Sequence, residues 1–363
     1  IAVGGGTNNI YLGSGAANIS ASGSDTTNIH GNIGDNHLTF GIGTGLMSFR
    51  AGNVNLQPHT DSVSFGTGLS FSGVALSAQG SDLVIQFGSS TTDQLILRGE
   101  LAKSFAKQIS NFSFADGTTL TASQFGQAGL TLDASGSGTT YDHSGSYVRE
   151  TINLSGSNSA LYIGTEENVV NISGNADVVS GGNADNTYNV TGSGNTILAG
   201  SGDNIIHSGG FYNQFYLGSA VAGVSGIGDN IVLDSGVGNQ FWLNPGSTQT
   251  GTANITVGTN AAVHLGTGHV DLNIGMGTGT TVVSRTGPAF TPGDSDTIHF
   301  GAGISQSSLY FWAPPVASGA VTQYDLNIDL ASGEKVILSA GLAGGAERVE
   351  NFTFADEIGR AHV

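Results

Sequence analysis

The sequence has no cysteine, six prolines and only nine lysines and arginines among 363 residues. Without cysteine it can form neither disulfide bonds nor thiolate metal sites. Its 27 acidic residues bring the formal charge to −18, which excludes a basic stripe that could neutralise phosphates and hence a nucleic-acid partner. No apolar run reaches the length of a membrane-spanning helix, so no membrane insertion is expected.

Glycine, in contrast, is abundant, with 59 residues. The glycines follow no strict three-residue period, which excludes collagen, and a hydrophobic content of 38% is too high for a disordered chain. Only 10% of the residues are charged, so serine, threonine and asparagine must supply the polar surface. These residue types favour strands and turns and predict an all-β fold.

A short repeat occupies the middle of the chain. Every ninth residue is Asn or Asp, and an apolar residue follows two positions later. The repeated positions are Asn168, Asp177, Asn186, Asn195 and Asn204, and the apolar ones are Val170, Val179, Tyr188, Ile197 and Ile206. Such a unit cannot bury its apolar face alone, so successive units must stack into a parallel β-solenoid, as a β-roll or β-helix. Aligned Asn side chains should then hydrogen-bond from coil to coil.

A longer block occurs twice. DSVSFGTGLS at residues 61–70 corresponds to DTIHFGAGIS at residues 296–305. Both copies close on one phrase, which is ISNFSFAD at 109–116 and VENFTFAD at 349–356. Apolar residues alternate within each copy, which predicts a small β-meander.

These repeats divide the chain into segments. We predict a solenoid segment at 1–57, a β module at 58–128, a second solenoid segment at 129–291 and a second module at 292–356. Residues 357–363, EIGRAHV, resemble the translation of a common sequencing adaptor and are predicted to be a non-native tail. The chain is thus expected to be part of a longer protein in which solenoid segments alternate with small β-rich modules.

The nonapeptides resemble those of the repeats-in-toxin (RTX) family, which wind into a calcium-binding β-roll. The phrases that carry the resemblance are GGNADNTYNV at 181–190 and AGSGDNIIH at 199–207. The modules resemble the haemolysin-type calcium-binding related domain, for which a DLxI strand and an FxFADGT phrase are typical. The resemblance implies export through a type I exporter, folding outside the cell in calcium, and an extracellular or cell-surface location.

The resemblance also implies Ca²⁺ as a cofactor, held by the repeated positions and their acidic neighbours. The candidate ligands are Asp177, Asp185, Asn186, Asp203, Asn204 and Asp229. Of the five repeated positions, Asp177 alone keeps the carboxylate that the family places there, and site strength follows the number of charged ligands. Two interpretations therefore stay open, a calcium-binding solenoid and a metal-free Asn ladder.

The sequence indicates no active site, and we predict that the chain is not an enzyme. None of its nine lysines and arginines lies between residues 164 and 243. Adjacent Glu166 and Glu167 would face opposite sides of a strand, so they are interpreted as a solvated turn. His264 and His269 are close enough in sequence to share a loop but are interpreted as surface strand positions.

Repeated units serve reach and avidity, so we predict a structural or adhesive segment of a large secreted RTX-like exoprotein. The alternatives are a carbohydrate-binding solenoid and the non-catalytic part of a polysaccharide-active exoenzyme, with glycans or cell-surface or matrix components as partners. Candidate sugar-binding aromatics are Tyr11, Phe215, Tyr216, Phe241 and Trp242. The preferred assignment places Tyr216 and Trp242 in the core and the two phenylalanines beneath a loop.

Overall fold

A computed structural model describes residues 1–23, 25–31, 34–52, 60–88, 92–102, 109–218, 229–243, 252–266, 268–285, 296–313, 325–339, 349 and 351–355, and the backbone alone of 357–361. The chain forms two compact units. Unit 1 comprises Ile1–Ala134, Thr140–Asn153 and Leu161–Asn168, and unit 2 comprises Ser135–Thr139, Leu154–Ala160 and Val169–Val363. No helix in these described ranges is long and apolar enough to cross a membrane.

Short strands account for nearly all the regular structure. The first sixteen are β1 (Ala2–Val3), β2 (Asn8–Tyr11), β3 (Ala17–Ala21), β4 (Thr26–His30), β5 (Asn36–Phe40), β6 (Leu46–Arg50), β7 (Asp61–Phe65), β8 (Val74–Gln79), β9 (Asp82–Phe87), β10 (Gln94–Leu97), β11 (Ile109–Phe114), β12 (Thr119–Thr121), β13 (Leu130–Ala134), β14 (Thr140–Asp142), β15 (Glu150–Leu154) and β16 (Ala160–Tyr162). A 3-10 turn spans Phe71–Gly73, and helix α1 spans Ala122–Gly126.

The remaining strands are β17 (Val169–Ile172), β18 (Val178–Ser180), β19 (Thr187–Val190), β20 (Thr196–Gly200), β21 (Ile205–Ser208), β22 (Gln214–Leu217), β23 (Asn230–Asp234), β24 (Gln240–Leu243), β25 (Thr252–Thr256), β26 (Ala262–Leu265), β27 (His269–Ile274), β28 (Thr280–Arg285), β29 (Thr297–Phe300), β30 (Leu309–Trp312), β31 (Leu326–Leu330), β32 (Lys335–Leu338), β33 (Asn351–Phe354) and β34 (Glu357–Ala361). A second 3-10 turn spans Gln306–Ser308.

Unit 1 is built from two sheets that take alternate strands of the chain. One sheet has the order β1-β3-β5-β7-β11-β12, parallel except for β12. In the other, β2, β4, β6 and β10 are parallel neighbours. The antiparallel strands β9 and β8 follow β10, and β13 pairs in parallel with β8. The predicted meander is present as β8-β9-β10. It is part of the coils and not a separate module, because β7, β10 and β11 pair with the strands of the two coil sheets.

Unit 2 repeats the two-sheet arrangement. Strands β17, β19, β21, β23, β25, β27, β29 and β33 form one parallel sheet, closed by antiparallel β34. Strands β18, β20, β22, β24, β26, β28 and β32 form the other, followed by antiparallel β31 and β30. The predicted all-β parallel solenoid is therefore confirmed. The segment boundaries drawn from the sequence stay predictions.

The closing phrase of each long repeat has one structural role. In unit 1, the rings of Phe112 and Phe114 lie 6.2 and 4.9 Å from the ring of Phe65. In unit 2, Phe352 and Phe354 lie 6.2 and 5.3 Å from Phe300. Each phrase thus supplies two inward rings that pack on a phenylalanine of the first module strand, and stacked aromatic pairs stabilise beyond the area they bury.

Most strands of the regular coils bury two alternate side chains, such as Val170 and Ile172 in β17 or Phe215 and Leu217 in β22. One aligned buried row in the first sheet of unit 2 consists of Val170, Tyr188, Ile206, Val232 and Ile255, and one in the second consists of Val179, Ile197, Phe215, Phe241 and Val263. They include the predicted apolar positions two residues after the repeated Asn or Asp. Because this core is narrow, polar contacts between coils are important for aligning each coil on the next.

Candidate metal-binding edge of the solenoid

The repeated Asn and Asp side chains form the expected ladders, with one coil every 18 residues. In the first ladder of unit 2, the N–H of Asn186 donates to Oδ1 of Asn204 at 3.1 Å, and the N–H of Asn204 donates to Oδ1 of Asn230 at 3.2 Å. Two nonapeptides make one coil, so alternate positions enter a second ladder. There the N–H groups of Ser159, Asp177, Asn195 and Asn213 donate to Oδ1 of Asp177, Asn195, Asn213 and Asn239.

The amide nitrogens show why asparagine recurs at these positions. In the second ladder, Nδ2 of Asn195, Asn213 and Asn239 donates to the carbonyl oxygens of Gly174, Gly192 and Gly210 on the preceding coil. These carbonyls approach the next coil so closely that a Cβ at Gly192 would overlap the oxygen of Gly174. An amide accepts and donates at once, which a carboxylate cannot do.

Three of the six predicted calcium ligands lie in one exposed column, Asp185, Asp203 and Asp229, which we call the Asp column. The N–H groups of Asp203 and Asp229 each donate at 2.7 Å to Oδ1 of the preceding column residue. The N–H of Thr252 donates to Oδ1 of Asp229 at 3.0 Å. Since adjacent strands lie about 4.8 Å apart, like charges recur on successive coils.

The other three predicted ligands do not join this column. Nδ2 of Asn186 and of Asn204 donates to Ala184 and Gly202, and Oδ1 of Asn204 accepts the ladder N–H. Asp177 lies in the second ladder. Calcium takes six to eight oxygen ligands, and the Asp column brings three predicted carboxylate ligands into line, each with Oδ1 accepting a backbone N–H. Within the described ranges, no group of three acidic or histidine side chains is arranged to hold a metal ion.

Asp177 occupies an asparagine position without an asparagine's donor. Its side chain is buried, Oδ1 accepts the N–H of Ser159 at 2.8 Å, and Oδ2 has no hydrogen-bond partner among the residues the structure describes. Both Oδ2 and the carbonyl oxygen of Gly156 adjoin Gly174, as the amide of Asn195 and the oxygen of Gly174 adjoin Gly192. Burial raises the pKa of Asp177 although the Ser159 N–H opposes the shift. The protonated carboxyl can donate where the asparagines do.

Two other ladder acids have a buried histidine or arginine as partner instead. In unit 1, the N–H of Glu150 donates to Asn168, and the Glu150 carboxylate lies 3.0 Å from Nδ1 of His143. In unit 2, Oδ1 of Asp296 accepts the N–H of Val270 at 3.1 Å, and Oδ2 accepts from the Arg285 guanidinium at 2.5 Å. Breaking such a buried pair strongly destabilises a fold, because one charge is left uncompensated.

His143, Ser146 and Glu150 have the residue types of a catalytic triad but not its connections. Nε2 of His143 lies 2.9 Å from the carbonyl oxygen of Gly80, and Ser146 Oγ donates to Glu150 at 2.7 Å. The serine thus bonds to the acid and not to the imidazole, so this cluster does not pair a nucleophile with a base. Burial alone would lower the pKa of His143, but the hydrogen bond and charge of Glu150 outweigh it and raise the pKa.

A second buried acid in unit 1 is Glu100. Its Oε1 accepts from the Tyr147 hydroxyl at 3.0 Å and from the Ile109 N–H at 3.3 Å. Burial nevertheless raises the pKa of Glu100 to about 7, and the charge of Asp61 adds to the shift. Neither Glu100 nor the His143 cluster was predicted, since contacts such as His143 to Gly80 join residues 63 positions apart.

The aromatic assignment from the sequence was wrong for unit 2. Phe215 and Phe241 are fully buried, whereas Tyr216 and Trp242 lie on the outer face, stacked with their ring centroids 4.8 Å apart. Side chains alternate between the two faces of a strand, so counting from the inward Asn213 places Phe215 inward and Tyr216 outward. Trp242 also stacks on His264 at 4.7 Å, so these rings cover one another's faces and present edges. His264 and His269 lie on strands β26 and β27 of different sheets.

The stacked coils define the chain as a parallel β-solenoid repeat protein. Residues 82–124 match the family described as haemolysin-type calcium binding protein related domain. No curated protein sequence matches the chain. Among solved structures, extracellular lipase LipA from Serratia marcescens matches with 12% identity and a TM-score of 0.21, over 92% of this chain and 37% of that one. The chain thus spans little more than a third of that lipase.

We expect Asp177→Asn to stabilise the protein at neutral pH. The folded-state pKa of Asp177 is raised, so its carboxyl costs stability as the pH rises above the unfolded-state pKa, and the amide removes that cost. The gain should be on the order of 1 kcal/mol, as for one buried hydrogen bond. Urea unfolding in calcium-free buffer at pH 7 and pH 4 measures it, with the gain disappearing at pH 4. A loss of stability at pH 7 would show that the ionised carboxylate is needed.

We expect Glu100→Gln to reduce the loss of stability that occurs as the pH rises from 4.5 to 7.5. The folded-state pKa of Glu100 is about 7 against 4.5 for a free glutamate, so stability falls as the pH rises between these values. The raised pKa of His143 adds a further loss of stability as the pH rises above 6.5. The Gln variant should recover on the order of 3 kcal/mol at pH 7.5 relative to pH 4.5. Thermal unfolding across this range tests it against Glu167→Gln, an exposed position, and equal slopes in the two variants would contradict the expectation.

Proposed function

We propose that the chain is a structural repeat segment of a secreted RTX-like exoprotein, serving as a stalk, spacer or adhesive element. The observation that carries the proposal is the repetition of one set of backbone and side-chain hydrogen bonds from coil to coil in unit 2. A hydrogen-bond pattern that repeats from coil to coil extends the solenoid. Catalysis instead needs different functional groups to meet at one place. The match of residues 82–124 to a haemolysin-type calcium-binding related domain supports the RTX-like assignment.

The proposal also assigns the chain no catalytic role. In the cluster of His143, Ser146 and Glu150, Ser146 bonds to Glu150 and not to His143. The outer rings of Tyr216 and Trp242 face each other, so they offer little flat surface on which a sugar could stack. These arrangements favour a structural role for unit 2 over a carbohydrate-binding one.

Calcium is proposed to stabilise unit 2 at the Asp column. Like charges directly opposite on neighbouring strands are destabilising, and a divalent cation held by the column carboxylates would relieve that repulsion. Asp185, Asp203 and Asp229 would supply the charged ligands, while the ladder asparagines keep the coils in register. Folding would then be favoured outside the cell, where calcium is plentiful.

We expect deletion of one complete coil, residues 187–204, to leave a folded protein. The deletion joins Asn186 to Ile205 and preserves both ladders, because Asn204 and Asn213 occupy the same ladder positions as Asn186 and Asn195. Circular dichroism and cooperative unfolding should stay close to those of the intact chain, with the midpoint lowered by a few degrees. Deleting half a coil, residues 187–195, exchanges the two sheets and provides the matched control. If the two deletions lowered the unfolding midpoint by the same amount, the repeat interpretation would be wrong.

We expect millimolar calcium to raise the melting temperature of the full chain. One site with a dissociation constant of roughly 10⁻⁴ to 10⁻³ M adds about 0.4 to 1.4 kcal/mol at that concentration. The triple variant D185N/D203N/D229N should lose the response, since amides keep the Oδ1 acceptors but not the charge. Asp133→Asn, at an exposed position of unit 1, is the control. Calorimetry in excess chelator that leaves the wild-type melting temperature unchanged would refute the calcium proposal.

A further inference from the structure

A polar cleft of 460 Å³ lies on the outer face of unit 1. It is lined by residues of the parallel neighbours β2, β4 and β6, and by Ser81, Asp82, Arg98 and Gly99 at the start of β9 and just after β10. Their register places Tyr11 beside His30 and His30 beside Arg50, and Arg98 continues the row one residue after β10. The row spans roughly 14 Å, since adjacent strands lie about 4.8 Å apart.

The positive charge of this cleft is exceptional for the chain. Of nine lysines and arginines in a protein of net charge −18, two meet here, together with His30. Asp82 is the acidic residue in the lining, and it holds Arg98 in place: Oδ2 accepts from Nη1 at 2.7 Å, and Oδ1 accepts the N–H of Gly99. Arg98 stays 43% exposed. A guanidinium carries five donors in a planar fork that matches a carboxylate.

Next to the cationic row runs a row of neutral polar groups. Ser48 Oγ donates to Oδ1 of Asn28 at 2.8 Å, and Nδ2 of Asn28 donates to Oδ1 of Asn9 at 3.1 Å. These bonds orient a hydroxyl and two amides beside the arginines. Oriented amides and hydroxyls both donate and accept, so they suit a ligand rich in hydroxyl groups.

Tyr11 lies at the end of the row, beside His30 and next to the cleft lining, and adds an apolar surface. Its ring is stacked on His30, with centroids 4.5 Å apart and planes within 6°, and the side chain is 75% exposed. His30 covers one ring face and fixes the orientation of the other. A rigid, exposed aromatic face beside hydrogen-bonding groups is a surface on which the C–H face of a sugar can pack.

We infer that this cleft binds an acidic polysaccharide through its carboxylates, as in a chain of uronate sugars. Arg50 and Arg98 hold a carboxylate, the Asn9, Asn28 and Ser48 row bonds to hydroxyls, and Tyr11 packs on a sugar ring. A phosphate dianion fits less well, because Asp82 repels the second charge. The open row along four strands suits an extended polymer. The inference goes beyond the structural role proposed above and concerns unit 1, whereas the Asp column belongs to unit 2.

Calorimetric titration of the full chain with a hexameric oligogalacturonate tests the inference. A neutral oligosaccharide of equal length and inorganic phosphate serve as comparison ligands. We expect saturable binding of the uronate alone, weakened roughly tenfold or more by R50Q/R98Q, which removes charge-assisted hydrogen bonds. Arg149→Gln, at an exposed arginine outside the cleft, should bind as the wild type does. Tyr11→Ala, also at an exposed position, should weaken binding severalfold and tests the cleft even if the double variant does not fold.

The variant D185N/D203N/D229N separates this binding from calcium bridging. Unchanged affinity in that variant supports the cleft, and a parallel loss would assign the binding to the Asp column and overturn the inference. Equal affinity for the neutral oligosaccharide, full competition by phosphate, or unchanged binding in both R50Q/R98Q and Tyr11→Ala would also overturn it.

Discussion

Each coil depends on a side chain at the start of its strands that forms hydrogen bonds with backbone N–H and C=O groups of the neighbouring coils. At Asn195, Oδ1 accepts the N–H of Asp177, and Nδ2 donates to the oxygen of Gly174. Buried backbone groups must be paired, because an unpaired N–H or C=O away from water costs free energy comparable to a lost hydrogen bond. The amide accepts at Oδ1 and donates from Nδ2 at two separate atoms, so asparagine recurs where strand propensity disfavours it.

The exceptions follow from the same constraint. A carboxylate accepts as asparagine does, but its second oxygen needs a donor from elsewhere. His143 supplies one to Glu150 and Arg285 supplies one to Asp296. Asp177 has neither among the described residues, and its raised pKa favours the protonated carboxyl, which carries a donor of its own. Stability and proton binding are therefore linked wherever an acid replaces the amide.

Charge is distributed differently on the two units. The exposed carboxylates of Asp185, Asp203 and Asp229 recur on successive coils of unit 2, where the stacking repeat itself creates the acidic column. In unit 1 the same kind of stacking brings Arg50 and Arg98 into one row, although the chain has few basic residues. A solenoid thus turns a sequence position into a line of like side chains, whether the line is acidic, basic or aromatic.

The sequence by itself determined the class of fold, the inward position of Val170 or Ile197, and the ladder of asparagines, because these follow from a local period of nine residues. It also contained the orientation of Phe215, which the alternation from Asn213 specifies. Only the tertiary structure decided which candidate ligands meet, that the first module's strands extend the coils, and that His143 and Glu100 are buried with raised pKa values. Those features depend on pairing between residues far apart in the chain, and no local pattern encodes which distant strand, carbonyl or charge becomes the neighbour.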